Sequence, residues 1–142
     1  METSRDFERS IDCLEGLFSF VGERLPAGLA ERVRYFINLA VEEIFTNMVR
    51  HNEPGGAHIT VAVDVGSDWI RARLTDYDVE PFDPESIPRV DVDLPLAERH
   101  AGGLGLHMVK SVVDRLAYEY KDRVMHVSFQ RDLGEGDVRD QG

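Results

Sequence analysis

The chain has a single cysteine, Cys13, among its 142 residues. An intramolecular disulfide is excluded, and the thiol content suits a reducing cytoplasm. No apolar run approaches the ~20 residues of a membrane-spanning helix, and the opening METSRDFERS is charged where a secretory signal would be apolar. A cytoplasmic protein with no membrane partner is expected. The five histidines (51, 58, 100, 107 and 126) include no i, i+4 pair, so with one cysteine they lack the ligand spacing of structural zinc. Basic charge is scarce as well: 16 basic residues face 27 acidic ones, for a net charge of -11. Direct nucleic-acid binding is disfavoured, because a phosphate backbone would be repelled over most of the surface.

Hydrophobic residues make up 42% of the chain, enough for one core and too few residues for two ordinary domains. Phe7, Ile11, Leu14, Phe18, Val21 and Leu25 recur in steps of four and three, which predicts a first helix over residues 6–25. After Pro26 and Gly28, a second helical pattern runs from Leu29 through Val33, Phe36, Ile37, Ala40, Ile44 and Met48 to about residue 51. The period then changes to two. His58–Val65 and Trp69–Leu74, separated by Gly66-Ser67-Asp68, predict a β-hairpin. Residues 76–105 form a long stretch rich in proline and glycine, of the kind that is usually functional or disordered.

Leu106–Leu116 reads as a helix, and Ala117–Lys121 and Val124–Arg131 read as closing strands. The fold class expected is α+β, a two-layer sandwich with helices on one face of a mixed, mostly antiparallel sheet. One domain over residues 1–133 and a frayed tail over 134–142 complete the expected organisation.

The stretch VEEIFTNMVRH places Glu43 and Asn47 one turn apart in an otherwise apolar helix. At about 100° per residue, they project about 20° to either side of Phe36, with the apolar face. An unpaired carboxylate there is costly, so a partner is expected. An i, i+4 pair of oxygen ligands suits Mg²⁺, which takes few protein ligands and completes its shell with phosphates. A rim position bonded to water or a loop is the simpler alternative. Glu42 is the rival carboxylate and projects about 100° away from Glu43. Downstream, Gly102-Gly103-Leu104-Gly105 enters a helix, where backbone N–H groups and the helix N-terminus favour phosphate oxygens.

Together these stretches resemble the small bacterial serine kinases that act as anti-sigma factors, within the wider ATPase superfamily of gyrase, Hsp90, histidine kinases and MutL. The resemblance spans nearly the whole chain. AVEEIFTNMVRH looks like the superfamily's N-box, LTDYDVEPFDP stands at the place of its adenine-binding D-x-G box, and AGGLGLHMV resembles its glycine box. It implies ATP and Mg²⁺ as ligands, with Asn47 holding the metal and Glu43 acting as general base toward a serine hydroxyl. Asp76 and Asp78 both stand as candidates for the adenine contact, since neither register supplies the box's glycine. Arg99, or Arg89 in its place, would reach a phosphate from the lid over residues 84–101. Lys110 reads as a solvated side chain.

The partners implied are a sigma factor and an anti-anti-sigma protein of the STAS type, and homodimerisation is left open. The alternative is a non-catalytic partner-binding module with a degraded nucleotide site, suggested by the missing glycine. A histidine-kinase catalytic fragment is a third reading, and it lacks a phosphoacceptor helix before residue 26.

Overall fold

A computed structural model describes residues 2–51, 56–80 and 115–138. The chain opens with strand β1 (Glu2–Glu8), a single 3₁₀ turn (Ile11–Cys13) and helix α1 (Leu14–Arg24). Helix α2 (Glu31–His51) is followed by β2 (His58–Val65), β3 (Trp69–Tyr77), β4 (Arg115–Lys121) and β5 (Val124–Asp132). The strands form one sheet in the order β1-β2-β3-β5-β4, and every described pairing is antiparallel. The α+β class holds, and the sheet is antiparallel among the described residues.

Alternation decides which face of the sheet is covered. Ile59, Val61 and Val63 of β2 lie opposite Asp76, Leu74 and Ala72 of β3, which in turn lie opposite Met125, Val127 and Phe129 of β5. All nine are buried, and Leu17, Phe20 and Val21 of α1 close over them with Val33, Ile37, Ala40, Ile44 and Met48 of α2. Burying apolar side chains of this size contributes about 1.5–3 kcal/mol each relative to leaving them exposed. Asp76 is therefore a carboxylate in a row of hydrocarbon.

The start of the chain differs from the helix expected over residues 6–25. Residues 2–8 pair along β2, with Phe7 opposite Ile59, and Ile11 is 51% exposed. The helix begins at Leu14 and buries Leu17, Phe20 and Val21, so Val21 keeps its expected place whereas Phe18 is only partly buried and Leu17 takes the core position beside it. It stops before Pro26, where Leu25 is extended (ψ 148°), as the residue preceding a proline prefers. Arg34 of α2 then donates to the carbonyls of Gly22 and Pro26, tying the two helices together.

Two further differences lie near the other end. Arg115 and Leu116 belong to β4, so a helix reaching Leu116 is excluded; residues 106–114 lie outside those described. The expected fraying of the tail does not begin at residue 134. Asp137 accepts from Arg32 and from the Gly134 backbone N–H, Ala30 N–H donates to the Asp137 carbonyl, and Val138 bridges to Leu29. No helix among the described residues is long and apolar enough to cross a membrane.

Candidate nucleotide and metal site

Helix α2 carries the first two candidate groups. Its buried stripe runs through Val33, Ile37, Ala40, Val41, Ile44, Phe45 and Met48, whereas Phe36 is only partly buried. The stripe is thus centred near Ile44, and Glu43 and Asn47 lie on its flank rather than along its middle. Burial differs between them: Glu43 is intermediate, and Asn47 is 5% exposed. Loss of solvent raises the Glu43 pKa above its ordinary 4.5, the neighbouring Glu42 raises it further, and Arg50 opposes both. The raised value makes Glu43 a stronger proton acceptor than a surface glutamate.

Neither Oδ1 nor Nδ2 of Asn47 has a hydrogen-bond partner among the described residues, although both atoms are shielded from solvent. A buried carboxamide in that state costs about 1–3 kcal/mol. Its oxygen is the kind of hard donor that Mg²⁺ takes. No cluster of three or more His, Cys, Asp or Glu side chains that could hold a metal exists among the described residues. One carboxamide oxygen plus ligand phosphates fits this donor set better than a metal cage made of protein alone.

Asp76 and Asp78, two residues apart, meet different surroundings. Asp76 is inside β3, between Ile59 and Met125, and is 0% exposed. Its Oδ1 pairs with Nη2 of Arg9, whose side chain is 9% exposed. Asp78 lies beyond the end of β3 with a 69% exposed side chain. Its φ of 54° is in the left-handed region, which glycine occupies freely and which Asp tolerates better than most residues. The backbone at Asp78 thus takes a conformation suited to glycine without the glycine. Its carboxylate accepts from Arg123 Nε at 2.8 Å, on the surface.

The start of β2 closes the same end of the sheet. Gly56 donates to the Tyr77 carbonyl at 2.7 Å, and a Cβ on Gly56 would lie 3.0 Å from that oxygen, so only glycine allows the approach without displacement. Gly102, Gly103, Leu104 and Gly105, together with Arg99, Arg89 and Lys110, lie outside the described residues. Two participants were not found from the sequence. Arg9 has a signal only once β1 is recognised as a strand ending beside β2, and Arg123 only once the turn between β4 and β5 is placed against Asp78.

A family model described as a histidine kinase-like ATPase domain matches residues 16–131. The chain belongs to that family. Serine-protein kinase RsbW of Halalkalibacterium halodurans is 28% identical to it over 100 residues, which cover 63% of this chain and 61% of RsbW. The RsbU and RsbW domains of a Mycobacterium tuberculosis protein superpose with a TM-score of 0.67 at 15% identity, over 94% of this chain and 32% of that one. The histidine kinase AdeS of Acinetobacter baumannii superposes at 0.52 and 12% identity, over 94% of this chain and 68% of AdeS. These two superpositions establish a shared histidine kinase-like ATPase fold. The chain spans less than two thirds of the RsbW relative and about a third of the Mycobacterium tuberculosis chain.

Proposed function

We propose that the chain binds Mg²⁺-ATP and phosphorylates a serine hydroxyl on a regulatory protein, acting as an anti-sigma factor. The observation that carries this reading is the placement on one flank of α2 of a half-buried carboxylate, Glu43, with the buried carboxamide of Asn47, which has no hydrogen-bond partner among the described residues, one turn on. The similarity to serine-protein kinase RsbW supports a protein serine as the substrate class, and the anti-sigma setting follows from the resemblance of the motifs. The sigma factor and a STAS-type anti-anti-sigma protein are the partners in this reading.

Asn47 would hold Mg²⁺, and Asp76 is the preferred acceptor for the adenine amino group, because Asp78 is turned to the surface by Arg123. The glycine box over residues 102–105 and Arg99 would receive the phosphates. When bound, Mg²⁺ offsets negative charge on the β- and γ-phosphates. In the transfer, the serine oxygen bonds to the γ-phosphorus while the bond from that phosphorus to the β,γ-bridging oxygen breaks, releasing ADP. The hydroxyl proton passes to the Glu43 carboxylate, whose raised pKa suits it to receive one.

The competing reading, a partner-docking module without catalysis, rests on the absent glycine of the D-x-G box. Asp78 adopts the left-handed backbone of that position with its exposed carboxylate on Arg123, which argues against a blocked site. The test is transfer of labelled γ-phosphate from ATP to a STAS-type protein and to its Ser→Ala variant. Label on the first alone supports the kinase, and label on neither, with ATP demonstrably bound, favours the docking module.

A further inference from the structure

The Arg9 side chain runs inward from the end of β1 and joins three separate segments. Its Nη1 donates to the Met48 carbonyl in the last turn of α2 at 2.7 Å, and its Nε donates to the Gly56 carbonyl at 3.0 Å. The Nη2 end pairs with Oδ1 of Asp76. The Arg9 backbone N–H also donates to the Ala57 carbonyl at 3.2 Å, so main chain and side chain are both anchored to the segment leading into β2.

Stability alone does not account for this arrangement. Asp76 occupies a core row otherwise made of Ile59, Leu74, Ala72 and Met125. Replacing a buried ion pair by hydrocarbon of similar volume is often neutral or stabilising, whereas deleting one member leaves an uncompensated charge. An ion pair in such a row is thus not explained by its contribution to stability. Arginine is suited to orienting a carboxylate there, since its rigid, planar guanidinium, held through Nε and Nη1 on the Gly56 and Met48 carbonyls, fixes where Nη2 meets Asp76, which a lysine ammonium could not do.

Holding Oδ1 restricts rotation of the Asp76 carboxylate and therefore the direction along which the group accepts hydrogen bonds. We infer that Arg9 is the positioning residue for Asp76: it orients and charge-compensates the carboxylate so that the site selects a purine bearing an exocyclic amino group. The inference rests on the nucleotide reading above. The same guanidinium also donates to a carbonyl of the helix that carries Glu43 and Asn47.

The test compares calorimetric titrations of ATP and of purine riboside triphosphate, which lacks the 6-amino group, in the presence of Mg²⁺. The wild-type chain should prefer ATP by about tenfold, the worth of one hydrogen bond to a charged group. In Arg9→Gln the preference should fall to near unity, through weaker ATP binding with little change for the analogue. Arg9→Lys, which keeps the charge, should keep the fold and show a preference between those of wild type and Arg9→Gln, which provides a reading if Arg9→Gln does not fold by circular dichroism. An unchanged ATP-to-analogue ratio in the folded variants, with both ligands weakened equally or neither, would make Arg9 merely structural and overturn the inference. Failure of the wild-type chain to bind either nucleotide would overturn the nucleotide reading and the inference together, and it is recognised before any substitution is made.

Discussion

Arg123 donates from Nε to Asp78 Oδ1 at 2.8 Å across a junction where three non-glycine residues adopt positive φ: Asp78 (54°), Asp122 (53°) and Arg123 (66°). The Arg123 carbonyl accepts from Val79 N–H at 3.0 Å, and Tyr120 Oη donates to the Val79 carbonyl at 2.8 Å. The turn between β4 and β5 thereby holds the segment that follows Asp76 in a conformation glycine would otherwise supply.

The first prediction separates backbone from side chain at Asp78. Asp78→Val places a β-branched residue in the left-handed region and should lower stability by about 1–2 kcal/mol in chemical denaturation. Asp78→Gly removes that conformational cost and loses only exposed ion pairs worth about 0.2–1 kcal/mol, so its stability should stay within about 1 kcal/mol of wild type. ATP affinity of Asp78→Gly should lie within about twofold of wild type, because the carboxylate faces Arg123. A tenfold gain in affinity would show that the Asp78 side chain crowds the ligand after all.

Asn47 yields a prediction in which stability and binding move apart. Asn47→Leu removes two shielded polar atoms that lack partners among the described residues. The ligand-free protein should be as stable as wild type or up to about 2 kcal/mol more so. Mg²⁺-dependent ATP affinity should fall at least about tenfold. Loss of stability together with unchanged affinity would assign Asn47 a structural role.

Glu43 links the same helix to pH. Its folded-state pKa is raised above 4.5, chiefly by burial, so the folded protein holds this proton more tightly than the unfolded chain does. The favourable contribution is complete below the unfolded value and is lost as pH rises through the folded one. Glu43→Gln should therefore be more stable than wild type at neutral pH, with the gain disappearing toward pH 4. Phosphotransfer should be abolished in Glu43→Gln, while the wild-type rate should decline on the acid side as Glu43 takes up its proton. Equal stability of the two proteins at all pH values would remove the desolvated carboxylate from the explanation.

Asp137 shows the opposite sign. Its pKa is lowered, first by the hydrogen bond from Gly134 N–H and then by Arg32, against the opposing effect of burial. Its contribution is present above the unfolded pKa, near 3.8, and is lost as pH falls through the depressed folded value. Asp137→Ala should lower thermal stability at pH 7 by about 1 kcal/mol and by much less near pH 3. A pH-independent difference would indicate that the charge is not what pins residues 134–138.

The course of α2 is legible in the sequence because seven apolar residues from Leu29 to Met48 repeat at one period between Pro26 and the Pro54-Gly55-Gly56 stop. The hairpin of β2 and β3 is legible for the same reason at period two. Strand β1 is not: Phe7 is its one buried residue, and a single apolar position carries no period, so pairing with β2 decides its conformation. The tail's order depends on contacts from Asp137 to α2 that composition cannot reveal. Within the site, the spacing of Glu43 and Asn47 is visible in the chain. The contrast between a core Asp76 and a surface Asp78 is not, because it depends on where β3 ends and on two arginines remote in sequence, Arg9 and Arg123.

The central claim is that this fold binds ATP through Mg²⁺ held at Asn47. Its most direct test is calorimetric titration of ATP into the wild-type chain and into Asn47→Leu, each with Mg²⁺ and with EDTA. Binding by the wild type that weakens at least tenfold in EDTA, with Asn47→Leu weak under both conditions, is the predicted result; absence of binding at millimolar ATP in the presence of Mg²⁺, or affinity indifferent to both metal and Asn47, would contradict it.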